Sequence, residues 1–358
     1  VGRDRDGGHV RHRRRDRLDH LIVLYLHHPS CLLHDPSALS PEHPDDPRRL
    51  QAIEAAVAES GLQLRRCRAP AASSAELELV HTPAHVAFIA DLCSAGGGAI
   101  DQDTYVGEAS FVAAVHAVGA ACQMVRELAD GSDRTAFCAV RPSGHHADRD
   151  RAMGFCLFNN VAVAAELAVR ELGLERVMII DWDVHHGNGT AEIFRRRADI
   201  LYASIHQRGL FPGTGALTDA GSGPGSGYTI NLPVQPGTDE EVWVSLVEHI
   251  IVPIGLEFRP QLILISAGFD AHERDPVGQC VLQTESFAQI ARHVRELGLT
   301  VNAPIGAVLE GGYDPDALAA SVVATLGALA GDGDAVSIAP DPIVTPRVAS
   351  HLAHRWAL

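Results

Sequence analysis

Short apolar runs that alternate with stretches of helical periodicity confine this chain to a narrow set of folds. Residues 21–26, 135–140, 177–180, 200–205, 262–266 and 305–309 have the length and composition of buried strands. Residues 47–60, 110–129, 159–172, 239–258, 286–297 and 315–329 repeat their apolar positions with the period of a helix. Strands that are apolar throughout are buried on both faces, which a parallel sheet covered by helices provides. The sequence therefore predicts a single α/β domain with a central, mostly parallel sheet, helices on both faces and long loops after the strands. At 358 residues and 46% apolar content the chain can bury a large core, and no internal repeat or linker divides it.

The chemistry sits in those loops. Asp181-Trp-Asp183-Val-His185-His186-Gly-Asn188-Gly follows the 177–180 run, where alternate residues of an extended segment put Asp181, Asp183 and His185 on one face. Parallel sheets bind ligands beyond the carboxyl ends of their strands, which is where this segment falls. Asp183 and His185, joined by Asp270 from Ser266-Ala-Gly-Phe-Asp270, make a three-ligand set that leaves coordination positions open for water and substrate. Zn²⁺ is the first choice for such a set, and Fe²⁺ or Co²⁺ could occupy the same ligands. His145 and His146, in Arg141-Pro-Ser-Gly-His-His, are placed to take a proton from water and return one to a leaving amine. Asp181 is the expected partner of a ring N–H of His145. Tyr313, after Glu310-Gly-Gly, can polarise a substrate carbonyl across from the metal.

Composition narrows the function. A net charge of −16 argues against a nucleic-acid partner and suits a cationic substrate. Seven scattered cysteines without a C-x-x-C pair fit reduced thiols, and the apolar runs are too short for a signal peptide or a membrane span. A soluble, cytoplasmic protein is expected, with no membrane partner; an oligomer is compatible with the sequence. Residues 1–20 carry seven Arg and four Asp and are expected to form a disordered tail. Residues 21–330 form the expected catalytic domain and 331–358 a C-terminal extension.

These four motifs and a fifth, Gly154-Phe155-Cys156, taken in chain order, resemble the zinc-dependent histone deacetylase family with its arginase-like fold, over about residues 21 to 330. Gly-Asn188-Gly-Thr, Ser-Ala-Gly-Phe-Asp270 and His34-Asp35 with His43-Pro44 resemble the class II branch and its bacterial acetylpolyamine amidohydrolase relatives. The resemblance implies hydrolysis of acetyl-lysine by zinc-activated water, with Asp183, His185 and Asp270 on the metal, His145 and His146 as the tandem histidines and Tyr313 as the transition-state tyrosine. It implies a substrate tunnel lined by Gly154, Phe155 and Phe211, with Val277 at its mouth. It further implies a structural K⁺ held by Asp181 and Ser204 with main-chain carbonyls of Asp183, His185 and Ile205. Asn188 stands where another branch has Asp, so His146 is expected to have a lower pKa than His145. Valine at 277 favours acetyl-lysine over an acetylpolyamine, whereas Asp101 or Asp103 could supply a charge for the polyamine. An inactive acyl-lysine binding module is a further reading, opposed by the occupation of every catalytic position. A binuclear manganese ureohydrolase would need further His and Asp ligands around Asp183.

Overall fold

The computed structural model describes residues 22–358, so the expected tail at 1–20 and Leu21 lie outside the described residues. The strands are β1 (Val23–His27), β2 (Leu64–Arg68), β3 (Gly97–Ala99), β4 (Tyr105–Gly107), β5 (Thr135–Ala139), β6 (Val177–Asp181), β7 (Ile200–Gln207), β8 (Thr229–Val234), β9 (Leu262–Ala267) and β10 (Ile305–Leu309). The α-helices are α1 (Arg48–Glu59), α2 (Ser74–Leu77), α3 (Pro83–Ser94), α4 (Ser110–Ala129), α5 (Asn160–Arg170), α6 (Asn188–Ile193), α7 (Glu240–Leu246), α8 (Val252–Phe258), α9 (Thr284–Val301), α10 (Pro315–Leu329) and α11 (Val344–Leu352). Eight strands form one parallel sheet in the order β2-β1-β5-β10-β9-β6-β7-β8, while β3 and β4 make a separate antiparallel ribbon. Helices α4 and α5 pack together against the sheet, and α1, α10 and α9 form a second row. This is the arginase-like α/β architecture.

The central strands β5, β6, β7, β9 and β10 are buried along their whole length, as their unbroken apolar runs require. Being parallel, they deliver the loops that begin at residues 140, 182, 208, 268 and 310 to the same edge of the sheet. In register, Asp181 at the end of β6 lies between Ser204 of β7 and Ser266 of β9.

Several elements depart from the sequence reading. Strand β2, Leu-Arg-Arg-Cys-Arg, went unseen because it is an edge strand whose arginines face solvent and leave no apolar run. Strand β8 went unseen because Asn231 and Pro233 interrupt it, which an edge tolerates. The helix expected over 239–258 is present from Glu240 to Phe258 but widens into a π-turn at Val247–Ile251, just ahead of Pro253, which has no N–H to give the preceding turn. Helix α4, contrary to expectation, is long and apolar enough to cross a membrane by length and composition. In the fold, 67% of its most apolar window is buried, as befits a helix packed on several sides within a large core. The segment after residue 330 also packs on the domain: Ser245 and Thr345 share a hydroxyl hydrogen bond at 2.7 Å, and Trp356 Nε1 donates to the Gly227 carbonyl at 2.9 Å.

Candidate metal-dependent active site

Strand β6 ends at Asp181, and the chain then bends, so the common face expected for Asp181, Asp183 and His185 is not made by extended backbone. It is made by side chains that cap the next N–H but one. Asp181 Oδ1 accepts from the Asp183 N–H at 3.2 Å, and Asp183 Oδ1 accepts from the His185 N–H at 2.9 Å. Asp181 then turns its other oxygen to His145 Nδ1 (3.1 Å) and the Tyr202 hydroxyl (2.9 Å). Asp183 instead joins His185 and Asp270, and one ligand atom from each of the three lies within 4.8 Å of the others. His185 Nδ1 is 3.0 Å from both Asp183 Oδ1 and Asp270 Oδ2.

All three groups are buried, and two carboxylates this close disfavour joint ionisation unless a cation lies between them. Burial and the Asp183 charge push the Asp270 carboxyl up to about 7. Burial alone would lower His185, but Asp183 and Asp270 outweigh it and raise it to about 10. The cluster therefore demands one or more positive charges at its centre, and one nitrogen with two carboxylate oxygens fits a divalent ion. The other oxygens are fixed: Asp270 Oδ1 accepts from the Val184 N–H at 2.8 Å and Asp183 Oδ2 from the Gly311 N–H at 2.7 Å. Gly311 has to be glycine, because a Cβ there would stand 2.1 Å from Asp270 Oδ2 and 2.6 Å from Asp183 Oδ2.

The tandem histidines lie on the loop after β5, with ring centroids 4.0 Å apart. His146 Nδ1 is 2.8 Å from Asn188 Oδ1, so it carries the proton and leaves Nε2 as the basic atom. The two rings differ electrostatically. Burial opposes charge on His145, yet Asp181 and Asp183 outweigh it and raise its pKa to about 10. Burial, reinforced by His145 and His185, holds His146 well below the usual range. The ordering matches the expectation from Asn188, but its cause does not: desolvation and neighbouring imidazoles lower His146, while the bond to Asn188 acts the other way.

Glu310 anchors this loop and was assigned no role from the sequence. Its buried Oε2 accepts from the N–H groups of Gly144 (2.7 Å) and His145 (3.2 Å), and its carbonyl accepts from Ser143 Oγ (3.1 Å). Arg49 was also missed. Wholly buried, it donates to the carbonyls of Glu310 (2.5 Å) and Gly312 (2.6 Å) and lies 4.7 Å beneath the Tyr313 ring. Asp45 accepts from both Arg49 and Arg141 at 2.6 Å; burial would raise its carboxyl, but the two guanidiniums hold it well below the carboxylate range. An acid closing an apolar strand and adjoining arginines in a Pro-rich loop were the available signals, and neither specifies a partner.

Tyr313 is half-buried, its N–H held by Asp275 Oδ2 at 2.6 Å, and its hydroxyl makes no hydrogen bond among the described residues. Burial keeps the phenol well above its ordinary pKa, so it stays a proton donor. The expected tunnel walls gather around it. Phe155 meets Tyr313 edge-on at 5.8 Å, and Phe211 meets His146 edge-on at 5.0 Å. Gly154 leaves room between them, since a Cβ there would stand 2.5 Å from the His146 ring and 2.7 Å from Phe211. Phe155 itself has φ 67°, a left-handed conformation that is strained for a bulky residue. Val277 is half-buried on a turn capped by Asp275 Oδ1 (2.9 Å), the same carboxylate that fixes Tyr313. Asp101 caps the N–H of Thr104 at 2.8 Å, and Thr104 Oγ1 accepts from the Phe155 N–H at 3.2 Å.

Other residues of these loops and strands lie beside the Asp-His-Asp cluster. Ser204 is the register partner of Asp181, followed by Ile205, but its hydroxyl is engaged by His206 Nδ1 at 2.9 Å. His186 turns away from the cluster to the Thr214 hydroxyl at 2.7 Å. Cys156 is buried and its thiol pushed well above its ordinary pKa by desolvation, which fits no nucleophilic role.

Comparison with known proteins gives this geometry a family. The histone deacetylase domain matches residues 43–329. A protein of Methanothermobacter thermautotrophicus named "probable deacetylase" is 41% identical over 313 residues, covering 87% of this chain and 91% of that protein. The histone deacetylase-like amidohydrolase of Pseudomonas aeruginosa is 38% identical over 76% of this chain and 72% of its own length. The crystal structure of the HDA15 HD domain superposes with a TM-score of 0.88 at 34% identity, covering 94% of this chain and 95% of that one. With the family's domain matched over most of its length and its fold reproduced, the chain belongs to the histone deacetylase family and is a deacetylase of the amidohydrolase type.

Proposed function

We propose that this protein removes the acetyl group from N6-acetyl-lysine in a protein or peptide, with Zn²⁺ held by Asp183, His185 and Asp270. The observation that carries the reading is the convergence of a buried Asp-His-Asp cluster, an unpartnered tyrosine hydroxyl and a pair of histidines of opposite electrostatic bias. When bound, the ion would act as a Lewis acid toward the amide carbonyl and would bring the pKa of water toward neutrality; Fe²⁺ and Co²⁺ suit the same ligands. His146, with Nε2 free, takes the proton of the attacking water and returns it to the leaving amine. His145, held cationic by Asp181, stabilises the negative charge that develops nearby. Tyr313 donates its hydroxyl hydrogen to the substrate oxygen, and the aromatic walls admit a linear side chain and exclude water. A structural K⁺ beside Asp181 is also proposed; in its favour, the carbonyls of Asp183 and His185 accept no hydrogen bond among the described residues.

A second substrate class, acetylpolyamines, is favoured by one observation. The Asp101–Thr104 loop braces Phe155, which brings carboxylates to the rim of the tunnel. Comparing kcat/KM of the zinc-loaded protein on an acetyl-lysine peptide and on N-acetylputrescine decides between them: faster turnover of the peptide supports the proposal, and faster turnover of the polyamine replaces it. Turnover of neither would leave the binding-module reading. We further propose a cytoplasmic location for the enzyme, consistent with its seven unbridged cysteines.

A further inference from the structure

A groove of about 600 Å³ lies outside the catalytic cluster, between the loop that follows β7, the end of β8, helix α7 and helix α11. Its volume is that of a small-molecule site. Its lining is mostly apolar, with Leu217, Val242 and Val344 among its walls, and the charged residues that line it are two arginines, Arg208 and Arg347. No acid lines the groove, although acids outnumber bases 45 to 29 in the chain. Other arginines of this region are neutralised, Arg195 by Asp219 and Arg355 by Glu257. Arg208 and Arg347 are exposed and have no ion-pair partner among the described residues. Helix α11, which follows the matched residues 43–329, contributes Val344, Arg347 and Val348 to the lining.

We infer that this groove binds an amphiphilic monocarboxylate, an aliphatic chain carrying one carboxylate, with Arg208 and Arg347 as the anion-binding groups. Guanidinium groups pair with carboxylates through two parallel hydrogen bonds, and the aliphatic walls take up the chain. A cation, including any amine released in the tunnel, is repelled by the same two residues. The inner wall is Gly213–Thr218, part of the loop that carries Phe211, and its Thr214 hydroxyl meets His186, the neighbour of His185. An occupant thus sits one loop away from the tunnel wall. The site does not depend on the substrate proposed above.

The test is isothermal titration of the full chain with decanoate and, separately, with decylamine. Decanoate is expected to bind saturably at one site, and decylamine not at all. The double variant Arg208→Ala/Arg347→Ala is expected to bind decanoate at least about tenfold more weakly, ~1.4 kcal/mol. Val344→Trp, which fills the groove from α11, is expected to abolish binding while deacetylation stays unchanged. Equal binding of decylamine, undiminished binding by the double variant, or undiminished binding by Val344→Trp, which would place the carboxylate in the tunnel, each overturns the inference.

Discussion

Gly311→Ala isolates the geometry of the metal cluster from its chemistry, because it adds one methyl group and removes no ligand. Gly311 does not lie in the left-handed region, so alanine introduces no backbone strain of its own. The new Cβ would stand 2.1 Å from Asp270 Oδ2 and 2.6 Å from Asp183 Oδ2, closer than non-bonded atoms approach. Something must move by about 1 Å to restore ordinary contact. The backbone is poorly placed to yield, since Arg49 holds the carbonyls on either side of Gly311 and the Gly311 N–H is bonded to Asp183. The carboxylates must therefore retreat from the position they share with His185. Loss of a single supporting contact around a metal costs ~10–100-fold in affinity, and here two ligand carboxylates are displaced at once. The expected loss is about 100-fold in zinc affinity, or ~2.8 kcal/mol. Competition between the protein and a chromophoric chelator measures it directly, with circular dichroism confirming that the variant is folded. If the variant kept zinc affinity within about threefold of the parent, ~0.6 kcal/mol, the carboxylates would not be rigidly held and the argument would fail.

Three further outcomes follow from the same contacts. Tyr313→Phe is expected to lower kcat by the ~2–4 kcal/mol of one oxyanion donor with little change in KM; steady-state kinetics showing normal turnover would remove the tyrosine from the mechanism. Glu310→Ala leaves the buried N–H groups of Gly144 and His145 unpaired, at about 1–3 kcal/mol each, and should lower both the melting temperature and kcat. Glu310→Gln keeps an acceptor and should recover most of both; a variant as impaired as alanine would show that charge, not hydrogen bonding, is the requirement. His81 is held neutral, with Nδ1 donating to the Asp148 carbonyl and Nε2 accepting from the Asn159 N–H, and burial lowers its pKa from 6.5 to about 3. Between those values the unfolded chain binds the extra proton, so stability falls as pH falls through this window, His81 contributing on the order of 2 kcal/mol by pH 5. Urea unfolding at pH 7 and pH 5 tests this, and a midpoint that does not fall on acidification would contradict it.

The central strands, most of the long helices and the loops bearing His145, Asp183, Asp270 and Tyr313 were legible in the sequence, because burial on both faces of a parallel sheet writes unbroken apolar runs and places the chemistry just after them. Edge strands β2 and β8 were not, since a strand with one open side can carry arginine, asparagine or proline. Asp181 and Asp183 look equivalent two residues apart, yet one serves His145 and the other the metal cluster. That division was set by the bends after β6 and by where β5 and β9 deliver His145 and Asp270. Glu310, Arg49 and Asp45 acquired their roles only in three dimensions, because each acts through backbone groups or charges far away in the chain. Residue chemistry and hydrophobic period are local properties, and they determined the fold class and the reactive groups. Which carboxylate meets which histidine, and which glycine makes room for them, are contacts across the sheet that only the tertiary structure decides.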